Sequence, residues 1–185
     1  MSQRVLLVMD VQQQIVGRFG DCAEYLARLR QAIAAARSVR IPVVYVKVEF
    51  RAGHPEISER NRSFSALARN GGLTAGDPGT QVHPDIAPLD GDVVVTKKRV
   101  SAFSGSDLDV VLRGLGADHL ILTGIATSGV VLSTLRQAAD LDFDLTVLSD
   151  GCLDADAEVH RVLTEKVFLR QAAVLTVAEW VSELN

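Results

Sequence analysis

His119-Leu120-Ile121-Leu122-Thr123 runs without a break into Gly124-Ile125-Ala126-Thr127-Ser128-Gly129-Val130. A short aliphatic and β-branched run that ends in a glycine-flanked turn reads as a buried parallel strand handing over to a helix. Two other runs end as abruptly. Arg4-Val5-Leu6-Leu7-Val8-Met9 stops at Asp10, and Asp92-Val93-Val94-Val95-Thr96 stops at Lys97. Ligands of open α/β sheets bind beyond the carboxyl ends of the strands. The three exits are therefore expected to bring a carboxylate, an ammonium and a turn to one rim.

Working outward, Ile41–Val46, Leu145–Leu148 and Ala173–Val177 read as three more strands. Between the strands, Cys22, Tyr25, Leu26, Leu29, Ile33 and Ala36 recur at helical spacing, and Asp21 with Glu24 has the form of a capping box. Further helices are predicted from Ser106 to Gly116, over 129–141, from Asp154 or Asp156 onward through Val159, Val162, Leu163 and Val167, and around Trp180. Strands alternating with helices imply an α/β fold: a doubly wound parallel sheet of about six strands, helices on both faces, in one domain over 1–185. Residues 49–91 break the rhythm, hold most of the prolines, and carry one short predicted helix over 63–70. So long a connection in a compact domain is usually functional or covering.

The 185 residues suffice to bury a substantial core, and 48% hydrophobic with 23% charged residues is ordinary globular composition. A net charge of −4 offers no attraction to nucleic acid or to an anionic membrane. No apolar run approaches the ~20 residues that span a bilayer. The N-terminal stretch lacks an export-signal pattern, and Cys22 and Cys152 form neither a disulfide framework nor a metal-type spacing, so a reducing cytoplasmic setting is expected.

Asp10-Val11-Gln12, Lys97-Lys98-Arg99-Val100-Ser101-Ala102-Phe103 and Leu122–Val131, in this order and spacing, resemble the isochorismatase-like hydrolases, also called the cysteine hydrolase superfamily. The resemblance covers essentially the whole chain and implies a Rossmann-like parallel sheet and assembly as a homodimer or larger homo-oligomer. It also implies a catalytic triad of Asp, Lys and Cys. Asp10 matches the aspartate. Lys97 matches the lysine, which in the family stands four residues before the serine of Ser-Ala-Phe, and strand alternation points Lys98 the other way. The cysteine would fall on Val130.

Valine has no proton, lone pair or acid–base character, which closes the thiolate route of the amidase members at this position. What the resemblance leaves is Asp10 as a general acid or base with Lys97, without a covalent intermediate, as in isochorismatases proper, where glycine replaces the cysteine. Gln12 would orient a polar substrate group, and the backbone of Ala126, Thr127, Ser128 and Gly129 would bind an anion at the helix start. Lys97 favours the ionised form of Asp10 and burial the neutral form.

Ser128 has no histidine recognisably placed to activate it, and Cys152 reads as a packing thiol. Nicotinamidase relatives carry an aspartate and close histidines after the second strand. Here Glu49 and His54 alone make no three- or four-ligand site, and His83 and His160 read as surface residues or local hydrogen-bonders. No metal and no cofactor are expected; nucleophile-elbow, dinucleotide and phosphate-loop motifs are absent. Glu49, Arg51 and Arg62 read equally as substrate-binding groups or solvated loop charges. The expected function is hydrolysis of a small metabolite. The alternative is a non-catalytic member that binds a metabolite or serves as an oligomeric partner.

Overall fold

The computed structural model describes residues 3–184. Strands β1 (Arg4–Met9), β2 (Val43–Val48), β3 (Val93–Lys97), β4 (His119–Ile125), β5 (Asp144–Leu153) and β6 (Ala173–Leu175) form one sheet, parallel throughout, in the order β3-β2-β1-β4-β5-β6. Helices α1 (Gln13–Val16), α2 (Ala23–Ser38), α3 (Arg62–Asn70), α4 (Leu108–Gly114), α5 (Leu132–Asp140), α6 (Ala157–Val162) and α7 (Val177–Glu183) fill the connections. The expected doubly wound sheet is the observed one.

β1 explains why its strand signal is a solid apolar run rather than an alternation. Val5, Leu7 and Met9 share a core with Leu108 and Leu112 of α4 and Leu135 of α5. Leu6 and Val8 share the opposite core with Leu26, Leu29 and Ile33 of α2 and Trp180 of α7. Each fully buried side chain of this size is worth about 1.5–3 kcal/mol, so both faces of the sheet are paid in leucine, valine and isoleucine.

The strand order reverses between β1 and β4, the crevice at which open α/β sheets bind ligands. There Gly124 has φ +142°, and a Cβ on it would lie 2.2 Å from the Met9 carbonyl oxygen. Only glycine lets the two strands close at this point.

Three local expectations change. α2 starts with Asp21 accepting from the Ala23 N–H at 3.0 Å, but Glu24 pairs with Arg28 instead of closing a capping box. The capping box lies at α7, between Thr176 and Glu179, where the strand signal of Ala173–Val177 overran it. β5 extends past Leu148: Leu122 faces Val147 while Gly124 faces Cys152, so the residues between bulge and carry the strand on to Leu153. The long connection after β2 folds back over the strand ends. Phe50 N–H donates to the Leu73 carbonyl, the buried His54 ring nitrogen Nε2 bonds the Gly72 carbonyl, each at 2.8 Å, and Phe64 and Leu67 pack on Val48, Phe50 and Leu73.

Candidate active site

β1 ends where Asp10 takes a left-handed conformation, φ +57°, which aspartate tolerates better than most residues. Its N–H still donates to the Val46 carbonyl at 2.8 Å, so the turn begins without loss of the ladder. The side chain meets Lys97 at the end of β3, with Nζ 2.8 Å from Oδ2. Lys97 also donates to the carbonyls of Arg99 and Val100 at 2.9 and 3.0 Å. An ammonium has three protons, and here each has an acceptor. Lys97 is 1% exposed and Asp10 6%.

The other carboxylate oxygen, Oδ1, is buried with no partner. Burial raises the Asp10 pKa above its ordinary value of 3.8, against the pull of the Lys97 charge and hydrogen bond. Of the two opposing effects, desolvation prevails.

Asp10 and Lys97 line a cavity of about 460 Å³ together with Ala126, Gly129 and Val130 from the turn after β4. Val130 is 2% exposed and sits in Thr127–Val131, a π-helical turn that leads into α5. Acid, ammonium and inert side chain therefore share one pocket. The opposite wall comes from α1 and the turn after it, through Gln14, Ile15 and Arg18, and from α3 and the residues after it, through Ser63, Phe64, Leu67, Asn70 and Leu73. Of this wall the sequence pointed to the long connection, as a functional or covering segment; Gln14, Ile15 and Arg18 were missed, α1 being too short for a periodicity.

Gln12, Thr127 and Ser128 do not line the cavity. Gln12 is fully buried and spends its amide on the backbone: Nε2 donates to the Val48 and Thr80 carbonyls, and Oε1 accepts from the Val48 N–H. It fastens the long connection to β2. Thr127 Oγ1 lies 2.8 Å from His160 Nδ1.

Ser128 N–H donates to Asp154 Oδ2 at 2.7 Å, and Gly129 N–H to the Ala126 carbonyl at 3.0 Å. The anion at this helix start is thus the chain's own Asp154, delivered by the extended β5. Burial pushes Asp154 up, but the hydrogen bonds from Ser128 outweigh it and hold the carboxyl below its usual range. Burial holds His160 below the usual histidine range, with Asp154 pulling the other way.

The remaining candidates lie outside the cavity. Cys152 is buried, its thiol directed at the Leu122 carbonyl and pushed by burial up to about 12. Glu49 pairs with Lys47 at 2.8 Å and Arg51 with Glu56 at 2.7 Å, while Arg62 begins α3 on its exposed side. His83 caps its own turn by accepting from the Asp85 N–H. Among the described residues no three His, Cys, Asp or Glu side chains gather as a metal site, and no helix is long and apolar enough to cross a membrane.

A family model, the isochorismatase domain, matches residues 4–179. Ureidoacrylate amidohydrolase RutB of Stutzerimonas stutzeri (strain A1501) is 30% identical over 209 residues, covering 100% of this chain and 81% of that protein. A crystal structure of a cysteine hydrolase from Pseudomonas syringae pv. phaseolicola 1448A has a TM-score of 0.90 at 23% identity, over 98% of this chain and 92% of the other. That of N-carbamoylsarcosine amidase from Thermoplasma acidophilum has a TM-score of 0.76 at 25% identity, over 96% and 97%. Matched from its first strand into its last helix, the chain belongs to the isochorismatase family.

Proposed function

We propose that this isochorismatase-family chain hydrolyses a small metabolite by proton transfer from Asp10, with Lys97 as its fixed counter-charge and with no cysteine acyl-enzyme. The observation that carries the reading is the state of the Asp10 carboxyl. Oδ2 is held by Lys97 at 2.8 Å, while the buried Oδ1 has no partner in a cavity large enough for a metabolite. A proton on Oδ1 is favoured by the same burial that raises the pKa.

In the neutral form Oδ1–H donates to the departing atom of the substrate as its bond to carbon breaks. A water adds its oxygen to that carbon and returns a proton to Oδ1, so that one water is consumed and the acid is restored. Val130 stands in this scheme where the family's cysteine would be, and it excludes water from one side of the reacting atoms. The hydrolytic names of the relatives, an amidohydrolase and an amidase, agree with the reaction class.

A hydrolase substrate screen on the purified protein, with Asp10→Asn and Lys97→Ala alongside, tests this. Positioned acid–base groups contribute about 100- to 10,000-fold, so each variant is expected to lose activity by that order while keeping the far-ultraviolet circular dichroism of the parent. Full activity in either variant overturns the proposal.

The inertness of Val130 favours one rival, a non-catalytic pocket that binds a metabolite. A compound that raises the melting temperature and is never consumed supports the rival, and measured turnover removes it.

A further inference from the structure

Three ionisable side chains line the cavity: Asp10, Lys97 and Arg18. The first two neutralise each other, and all three protons of Lys97 are taken. Arg18 forms no ion pair or side-chain hydrogen bond among the described residues, and it is the arginine that lines this cavity. It is exposed, on the turn after α1, where its N–H donates to the Ile15 carbonyl at 3.1 Å.

The polar groups beside it are neutral: Gln14, whose Oε1 accepts from the Leu73 N–H, and Ser63 and Asn70, which add a hydroxyl and a second amide. The walls between are apolar, through Phe64 and Leu67. Summed over the residues that line it, the cavity carries one positive charge, and two whenever Asp10 is neutral; on its other side Arg18 borders a second cavity with Asp21 and Asp154, with no ion pair to either.

From this charge balance we infer that Arg18 selects substrates bearing a carboxylate, which it binds at the rim while the hydrolysable group lies at Asp10. The inference rests on the reading of the cavity as the reaction site. A guanidinium suits the task because its planar fork takes a carboxylate through two parallel N–H bonds. A rim position also means that the contact persists through the reaction, so it acts on binding more than on the chemical step.

The test uses a homologous series of ω-amido carboxylates, succinamate among them, each against the uncharged alkyl amide of equal length, such as butyramide for succinamate. The parent is expected to favour the acids by about 10- to 100-fold in kcat/KM, as charge-assisted hydrogen bonds of this kind are worth. Arg18→Gln removes the preference by raising KM for the acids with far less change in kcat, and Arg18→Lys restores part of it. Equal use of both series by the parent, or a preference that survives in Arg18→Gln, overturns the inference even though hydrolysis stands. If no amide is consumed, the hydrolytic reading fails separately, and calorimetric binding of succinamate decides the role of Arg18. Binding that Arg18→Gln abolishes upholds it, and binding that is absent from the parent or unchanged in Arg18→Gln refutes it.

Discussion

Asp10 is held by two forces of opposite sign, and each is visible in a different oxygen. Oδ2 lies on the Lys97 ammonium, and Oδ1 is buried without a donor. Because burial outweighs pairing, the folded chain keeps a proton on Asp10 at a pH where the unfolded chain has released it. Both states are protonated below 3.8, and both are ionised above the raised folded value. Between those limits stability declines as pH rises, by about 1.4 kcal/mol per pH unit for one proton. Asp10→Asn has no such proton, so urea midpoints of parent and variant should diverge across the window, with the variant gaining on the parent as pH rises. A variant that loses ground there would mean that pairing, not burial, dominates. That only one of Lys97 and Lys98 would face Asp10 was legible from alternation along β3, because residues one apart leave a strand on opposite sides, and it is Lys97 that does. The partnerless Oδ1 was not, since an unfilled hydrogen bond is a property of surroundings that no single position records.

At the scale of elements, the turn after β4 is a fixed platform. Thr127 is tied to His160, Ser128 to Asp154, and the Gly129 and Val131 N–H groups to the Ala126 carbonyl. Gly124 sets the distance between this platform and Asp10, because any Cβ there collides with the Met9 carbonyl at 2.2 Å. Gly124→Ala should therefore force β1 and β4 apart at the crevice and cost about 3 kcal/mol or more. Chemical denaturation of the purified variant reads this directly, and an unchanged midpoint would show that the strands have slack.

The strands themselves were legible, since burial on two faces writes a continuous aliphatic run. The elements that shape the cavity were harder to read. Gln13–Val16 is too short for a periodicity, and the bulge in β5 depends on its pairing with β4. Gln12 follows Asp10 so closely that the resemblance pointed it to substrate, whereas its amide is matched to carbonyls 36 and 68 residues away. A helix over 63–70 was predicted and α3 spans 62–70, but that it walls the pocket follows only from the His54 and Phe50 contacts that fold the connection back.

In the whole molecule, strand order does the assembling. Asp10 and Val130 leave neighbouring strands at the point where the winding reverses, and Lys97 reaches in from β3, with β2 between it and β1. The long connection and α1 close the opposite side, and they bring Arg18 to the rim beside the Asp10–Lys97 ion pair. A pocket made this way has its acid and ammonium set by the sheet and its opposite wall set by the connections, which can change without disturbing the core.

The most direct test of the central claim is kcat/KM against pH for a substrate found in the screen. A proton donated by Asp10 predicts a rate that is highest while Asp10 is neutral and falls as pH rises through a midpoint above 3.8. A rate that instead climbs with pH over the same range would contradict it.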